Sequence, residues 1–133
     1  MRRFGAISAC FFIAIVLGCG GIGGRVHEQR LIEDIELRAT DQWEQMELLG
    51  DRGVLIPATV FAVGWNESHL IAKRHPREEA PRPPDKTRTE YFIVVVRSKK
   101  VYGPFDEPEY RMHRDFFEVA EGLDFTLTFL ELE

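Results

Sequence analysis

The stretch VFAVGWNESHLIAK, residues 60–73, decides the fold. In its first half Phe61, Val63 and Trp65 fall on one face of an extended chain, and the segment is rich in β-branched and aromatic side chains that suit a pleated surface. Asn66-Glu67-Ser68 supplies turn chemistry, and Leu70-Ile71-Ala72-Lys73 returns as the second arm of a hairpin. Working upstream, Val54-Leu55-Ile56 runs into Pro57. Proline has no N–H to give a ladder, so that part reads as an edge or the approach to a strand. Working downstream, Tyr91–Val96 is a continuous apolar run and predicts a central strand covered on both faces. Ser98-Lys99-Lys100 then makes a turn, and Val101-Tyr102 begins a short strand closed by Gly103-Pro104.

Outside that block the pattern changes twice. Asp106-Glu107-Pro108-Glu109 has the form of a helix start, with Asp106 as cap, Pro108 in the first turn and Glu109 three residues on. Tyr110, His113 and Phe117, with Phe116 and Ala120, give a helical stripe to about Glu121, and Gly122 marks its end. Leu123, Phe125, Leu127 and Phe129 next alternate with Asp124, Thr126 and Thr128, which predicts a half-buried strand. Towards the amino end, Val26–Leu49 fits helical and alternating spacing alike and is read as two strands joined by a turn near Thr40-Asp41. Residues 74–90 hold four prolines among charges of both signs and no Phe, Tyr or Trp. They are expected to be a disordered, solvated loop, since such a segment cannot bury enough apolar area to offset its ordering entropy. The fold class is α+β: an antiparallel sheet of about five strands with one helix near the C-terminus.

The first residues carry a different message. Arg2-Arg3 form a positive start and Phe4–Leu17 an apolar run, short of the roughly 20 residues that span a bilayer and suited to a secretion signal. Val16-Leu17-Gly18-Cys19 resembles a lipobox, with an aliphatic residue at minus three, a small one at minus one, and a thiol to be alkylated. The expectation is a lipoprotein signal peptide over 1–18, cut before Cys19, and a lipidated Cys19 with a Gly-rich tether over 19–26. A single α+β domain follows over 27–133. More than one acyl chain on that cysteine would anchor the protein stably, on the cell membrane or an outer membrane, with the domain facing away from the cytoplasm. The 133-residue chain has two cysteines, Cys10 and Cys19. Once the leader is gone and Cys19 is acylated, no thiol remains for disulfides, zinc sites or nucleophilic chemistry. Loss of Arg2 and Arg3 leaves 15 basic against 22 acidic residues, a charge of −7, so nucleic acid is not an expected partner.

Val60–Pro76, Tyr91-Phe92-Ile93 and Val101-Tyr102-Gly103-Pro104 before an acidic helix start together resemble an uncharacterised family of small bacterial lipoproteins, a domain of unknown function. The resemblance covers about residues 54–118. The chain departs from it by a longer Pro-rich insert at 77–89 and a further strand beyond Gly122. The resemblance implies a lipid anchor, in agreement with Cys19, and brings no activity or catalytic residue.

Candidate chemistry is sparse. Trp65, Asn66 and Glu67 are the candidate ligand-binding residues: the indole offers a platform for a sugar or peptide, and its neighbours offer hydrogen bonds. The structural reading comes before it: Trp65 seals a core while Gly64 and Asn66 serve the turn. His69 and His75 flank the second hairpin arm with Glu67 nearby, but their spacing is not that of a recognised metal site. The acidic pairs Glu33-Asp34, Glu78-Glu79 and Asp106-Glu107 read as solvation or capping, and the basic residues of the 74–90 loop are interleaved with acidic ones. No cofactor, metal site or catalytic residue is expected. The function read from these features is a non-enzymatic binding module of the cell envelope, contacting an envelope protein or a wall component. Two alternatives stand beside it: an inhibitor or immunity-type lipoprotein against a secreted hydrolase, and an envelope hydrolase using His69 or His113 with a carboxylate.

Overall fold

The structure is a computed structural model describing residues 24–78 and 82–133. The expected leader, the acceptor Cys19 and the tether as far as Gly23 lie outside the described residues. The hairpin forms as its residues dictate: β5 (Val60–Trp65) pairs antiparallel with β6 (His69–Arg74), with Val63 opposite Ala72 and Trp65 opposite Leu70. The turn is closed by Asn66, whose Oδ1 accepts from the backbone N–H groups of Ser68 and His69 at 2.9 and 2.8 Å. β7 (Glu90–Val95) pairs with β6, and β8 (Lys100–Phe105) with β7. The two-residue β9 (Leu127–Thr128) joins β5, giving an antiparallel sheet in the order β8-β7-β6-β5-β9.

A second antiparallel sheet precedes it, with β1 (Arg25–Ile32), β2 (Ile35–Thr40), β3 (Glu47–Gly50) and β4 (Gly53–Ile56) in sequence order. In β2, Ile35, Leu37 and Ala39 are buried while Glu36, Arg38 and Thr40 are half-buried, the alternation of a strand with one face on a core. Those three residues, with Leu48 and Ile56, join Leu70, Ala72, Phe92 and Val94 of the other sheet in one apolar cluster. Full burial of each Leu or Ile is worth about 1.5–3 kcal/mol. On the opposite face, Ile71 and Ile93 pack with Tyr110, Val119 and Leu123. β6 and β7 are therefore covered on both sides: sheet on one, helix on the other.

The helix α1 (Glu107–Phe116) begins as its sequence predicts. The Asp106 carboxylate accepts from the Glu109 N–H at 2.9 Å, Glu109 Oε1 accepts from the Asp106 N–H at 3.2 Å, and Pro108 sits in the first turn. Its end differs. The helix stops at Phe116 instead of near Glu121, and Glu118 takes a left-handed φ of 55°. Glu118 N–H then donates to Asp115 O and Val119 N–H to Arg114 O, a Schellman motif with glutamate where glycine is usual. The physical reason is packing: the early reversal carries Val119 and Leu123 down onto Ile71 and Ile93.

Four further expectations are corrected. The strand expected over Leu123–Phe129 is paired only at Leu127–Thr128, because Leu123–Thr126 crosses the sheet face at Gly64. The two strands expected over Val26–Leu49 are three, with an additional turn at Glu33-Asp34, and β1 starts at Arg25, inside the expected tether. β8 runs on through Gly103-Pro104, which a register shift opposite Tyr91–Ile93 and an edge position accommodate. The loop expected over 74–90 is narrower. Arg74 and Glu90 are paired strand residues whose Nε and Oε2 lie 3.1 Å apart, and His75 is buried. The His75 ring stacks on Phe61, and its Nδ1 donates to Arg88 O at 2.7 Å, tying the loop's far end down.

Candidate interaction surfaces

Trp65 ends β5 half-buried and packed against the larger apolar cluster. Asn66 spends its side-chain oxygen on the turn, and Glu67 is exposed beside it. The geometry is that of a sealed hairpin end. The histidines stand on separate elements. His69 opens β6 opposite Val95, His75 is held by Arg88, and His27 lies among Trp43 and Phe129. His113 on α1 directs Nδ1 to the Glu109 carbonyl at 2.7 Å and stacks on Phe105. Among the described residues no group of three or more His, Cys, Asp or Glu is placed to hold a metal ion.

The carboxylates have structural partners. Glu33 and Asp34 face Lys99 Nζ at 3.5 and 3.8 Å, joining a turn of one sheet to a turn of the other. Glu107 pairs with Arg111 and Glu78 with Arg82, each one helical turn or one loop apart; Glu79 lies outside the described residues. In the loop, Arg74 and Arg88 share Glu90, and Lys86 reaches the Glu131 carbonyl at 3.1 Å.

Under α1, Tyr91 and Tyr110 stack with centroids 4.8 Å apart. Burial pushes both phenols above their ordinary pKa; for Tyr110, Arg114 Nη1 donating to its hydroxyl at 3.2 Å partly offsets this. Lys73 Nζ lies 4.5 Å from the Phe125 ring centroid, a cation over an aromatic face at the same layer.

Among the described residues, apolar hollows open at two places. The first lies between α1 and the edge strand β8, about 440 Å³, lined by Tyr102, Phe105, Met112, His113, Phe116 and Phe117. Tyr102 packs on Phe117 at 4.3 Å and Phe116 meets Phe117 edge-on at 5.1 Å. Met112 is 61% exposed and Phe116 77%. The sequence placed Phe116 in the inward stripe. At 100° per residue, however, Met112 and Phe116 form a second ridge, turned well away from Tyr110 and Phe117. That i,i+4 pair was the available signal. The second hollow, about 340 Å³, is lined by Trp43 and Thr128–Leu132, and Leu130 there is 77% exposed.

No helix among the described residues is long and apolar enough to cross a membrane. No curated protein and no solved structure matches the chain. A family signature matches residues 33–132, extending beyond the 54–118 motifs on both sides and taking in the tail after Gly122. With all but its first strand and amino-terminal segment inside that match, the chain belongs to the family described as "Protein of unknown function (DUF3997)".

Proposed function

We propose that this is a lipoprotein of the bacterial cell envelope, anchored through Cys19, that acts as a non-enzymatic binding module. Its contact surface is the hollow between α1 and β8, and its partner there is an apolar segment of another envelope protein. The observation carrying the reading is the exposure of Met112 and Phe116 in a hollow whose remaining wall is mostly aromatic, with Val101 and Gly103 completing it. Apolar side chains gathered in one concave place gain free energy when covered, and a contiguous patch of this kind marks an interaction site. Methionine adapts its shape to a partner, and the rings supply rigid area. The edge of β8 is blunted by Pro104, so the partner contributes side chains instead of an added strand. The hydrolase reading has less support, because His113 Nδ1 is engaged by a backbone carbonyl and no carboxylate lines that hollow.

The test places a photoactivatable phenylalanine analogue at position 116 of the full-length protein in intact cells. The expected product is a cross-link to one envelope protein through an apolar stretch, lost when Met112→Glu is added. Equal capture from position 126, an exposed site on the tail, would refute the surface. Capture of a secreted hydrolase would identify the inhibitor form of the same reading. Mass analysis of the mature amino terminus tests the anchor: acylated Cys19 is expected, and an unmodified thiol overturns it.

A further inference from the structure

The point at which the chain enters the fold is set by a hydrogen bond from Asp41 N–H to Gly24 O, 2.9 Å long. Asp41 leads into the 3-10 turn Trp43–Gln45, so Trp43 stands beside the place where the described chain begins. Cys19 lies five residues before Gly24. Five residues reach at most about 17 Å when extended, and a glycine-rich segment of that length spans roughly 12 Å on average. A lipid on Cys19 would hold this end of the domain against the headgroup layer.

That end is also apolar. Trp43 is 40% exposed and its indole lies 6.1 Å from the Phe129 ring, with His27 within 5.3 Å of both. Leu130, 77% exposed, extends the same hollow, and exposed Val26 lies two residues after Gly24. Tryptophan suits the membrane interface because its apolar rings carry one N–H donor. The charged residues next to Trp43 and Leu130 in sequence, Asp41, Glu44 and Glu131, are acidic. Lys86, whose Nζ donates to the Glu131 carbonyl at 3.1 Å, brings one cation to the rim, so the contact this face offers is chiefly apolar.

We infer that the face formed by Trp43, Phe129 and Leu130 rests on the bilayer, with the indole and Leu130 inserted into the interfacial layer. The domain is then held at two points, the lipid on Cys19 and this face, and presents the α1–β8 hollow from a fixed orientation. The inference rests on the lipid anchor proposed above, and the experiment separates the two.

Full-length protein is purified from membranes and its Cys19 modification is read by mass. It is then reconstituted in phosphatidylcholine vesicles with or without a lipid brominated near the glycerol end of its chain. In Trp65→Phe only Trp43 emits; its emission should shift to the blue and be quenched by bromine, as for a group about 5–10 Å into the boundary layer. In Trp43→Phe the remaining Trp65, packed on the core, should be indifferent to bromine. Leu130→Glu, at an exposed position, should abolish the quenching of Trp43 while Cys19 stays lipidated. If Trp65→Phe does not fold, the parent protein serves, since Trp43→Phe and Leu130→Glu should each remove all of its quenching. Lipidated protein whose Trp43 emission ignores bromine overturns the docked face and leaves the anchor standing. That outcome includes a blue-shifted but unquenched signal, as the protein's own acyl chain or a second protein in the hollow would give. An unmodified Cys19 overturns the anchor and the docked face together.

Discussion

At Gly64 an added Cβ would stand 1.9 Å from the backbone oxygen of Asp124, a contact that only movement of the main chain relieves. Gly64→Ala should therefore cost about 3 kcal/mol in a urea unfolding experiment, at the upper end of ordinary overpacking. Gly122→Ala meets nothing within 4 Å and should stay within about 0.5 kcal/mol of the parent. The same contrast separates the surface of α1 from its core. Tyr110, 4% exposed, should cost about 3–5 kcal/mol on truncation to alanine. Met112→Ser and Phe116→Ser should leave the unfolding midpoint nearly unchanged while reducing partner cross-linking. Residue roles were only half legible in the sequence. Trp65, Asn66 and Glu67 read first as a turn and second as a ligand site, because an amide oxygen that closes an Asx turn has the same chemistry as one that binds a sugar. Its two backbone donors, Ser68 and His69, appear only once the chain has folded.

Among elements, beginnings were easier to read than ends. The capping residues of α1 act through neighbours three positions away, so Asp106 and Glu109 announce the helix locally, and Asp106→Ala should cost about 1 kcal/mol of stability. The end of α1 answers to distant residues. Glu118 adopts a left-handed conformation that a Cβ disfavours, and it does so because Val119 and Leu123 must reach the sheet. Glu118→Gly relieves that cost and should raise stability by about 0.5–1 kcal/mol, after the extra freedom glycine gives the unfolded chain is deducted. Alternation over Leu123–Phe129 misled for a similar reason. Extended chain lying across a sheet face at Gly64 shows the same in-and-out pattern as chain lying beside a neighbouring strand. The hollow between α1 and β8 was hidden because its walls come from two elements, and only the Met112–Phe116 spacing hinted at it.

Across the whole molecule, three layers share the sheet β8-β7-β6-β5-β9, and their junctions respond to different conditions. Tyr91 and Tyr110 join the helix layer to that sheet with phenols whose pKa values are pushed up by burial. A phenol raised above its unfolded value near 10 contributes its full share below that pH, and the share is lost as pH climbs through the folded value. The tyrosine junction between helix and sheet should therefore loosen in alkali. An ultraviolet titration should show a late phenolate component, absent from the Tyr91→Phe, Tyr110→Phe double variant; ionisation of that component in the ordinary tyrosine range would refute it. The five-stranded sheet and its helix were readable because each element announces itself over a few residues. The separate four-stranded sheet was not, because 26–49 satisfies two periodicities and only burial against the opposing sheet selects one. Nearly all the ladders join strands that follow one another along the chain, and the hairpins among them close with little entropy lost. The exception is β9, which bridges from Thr128 back to Ala62. In pulse-labelled refolding, amides of the hairpins should gain protection first. The N–H of Phe129, which donates to Phe61 O, should gain it last, making the tail the latch that closes an already assembled body.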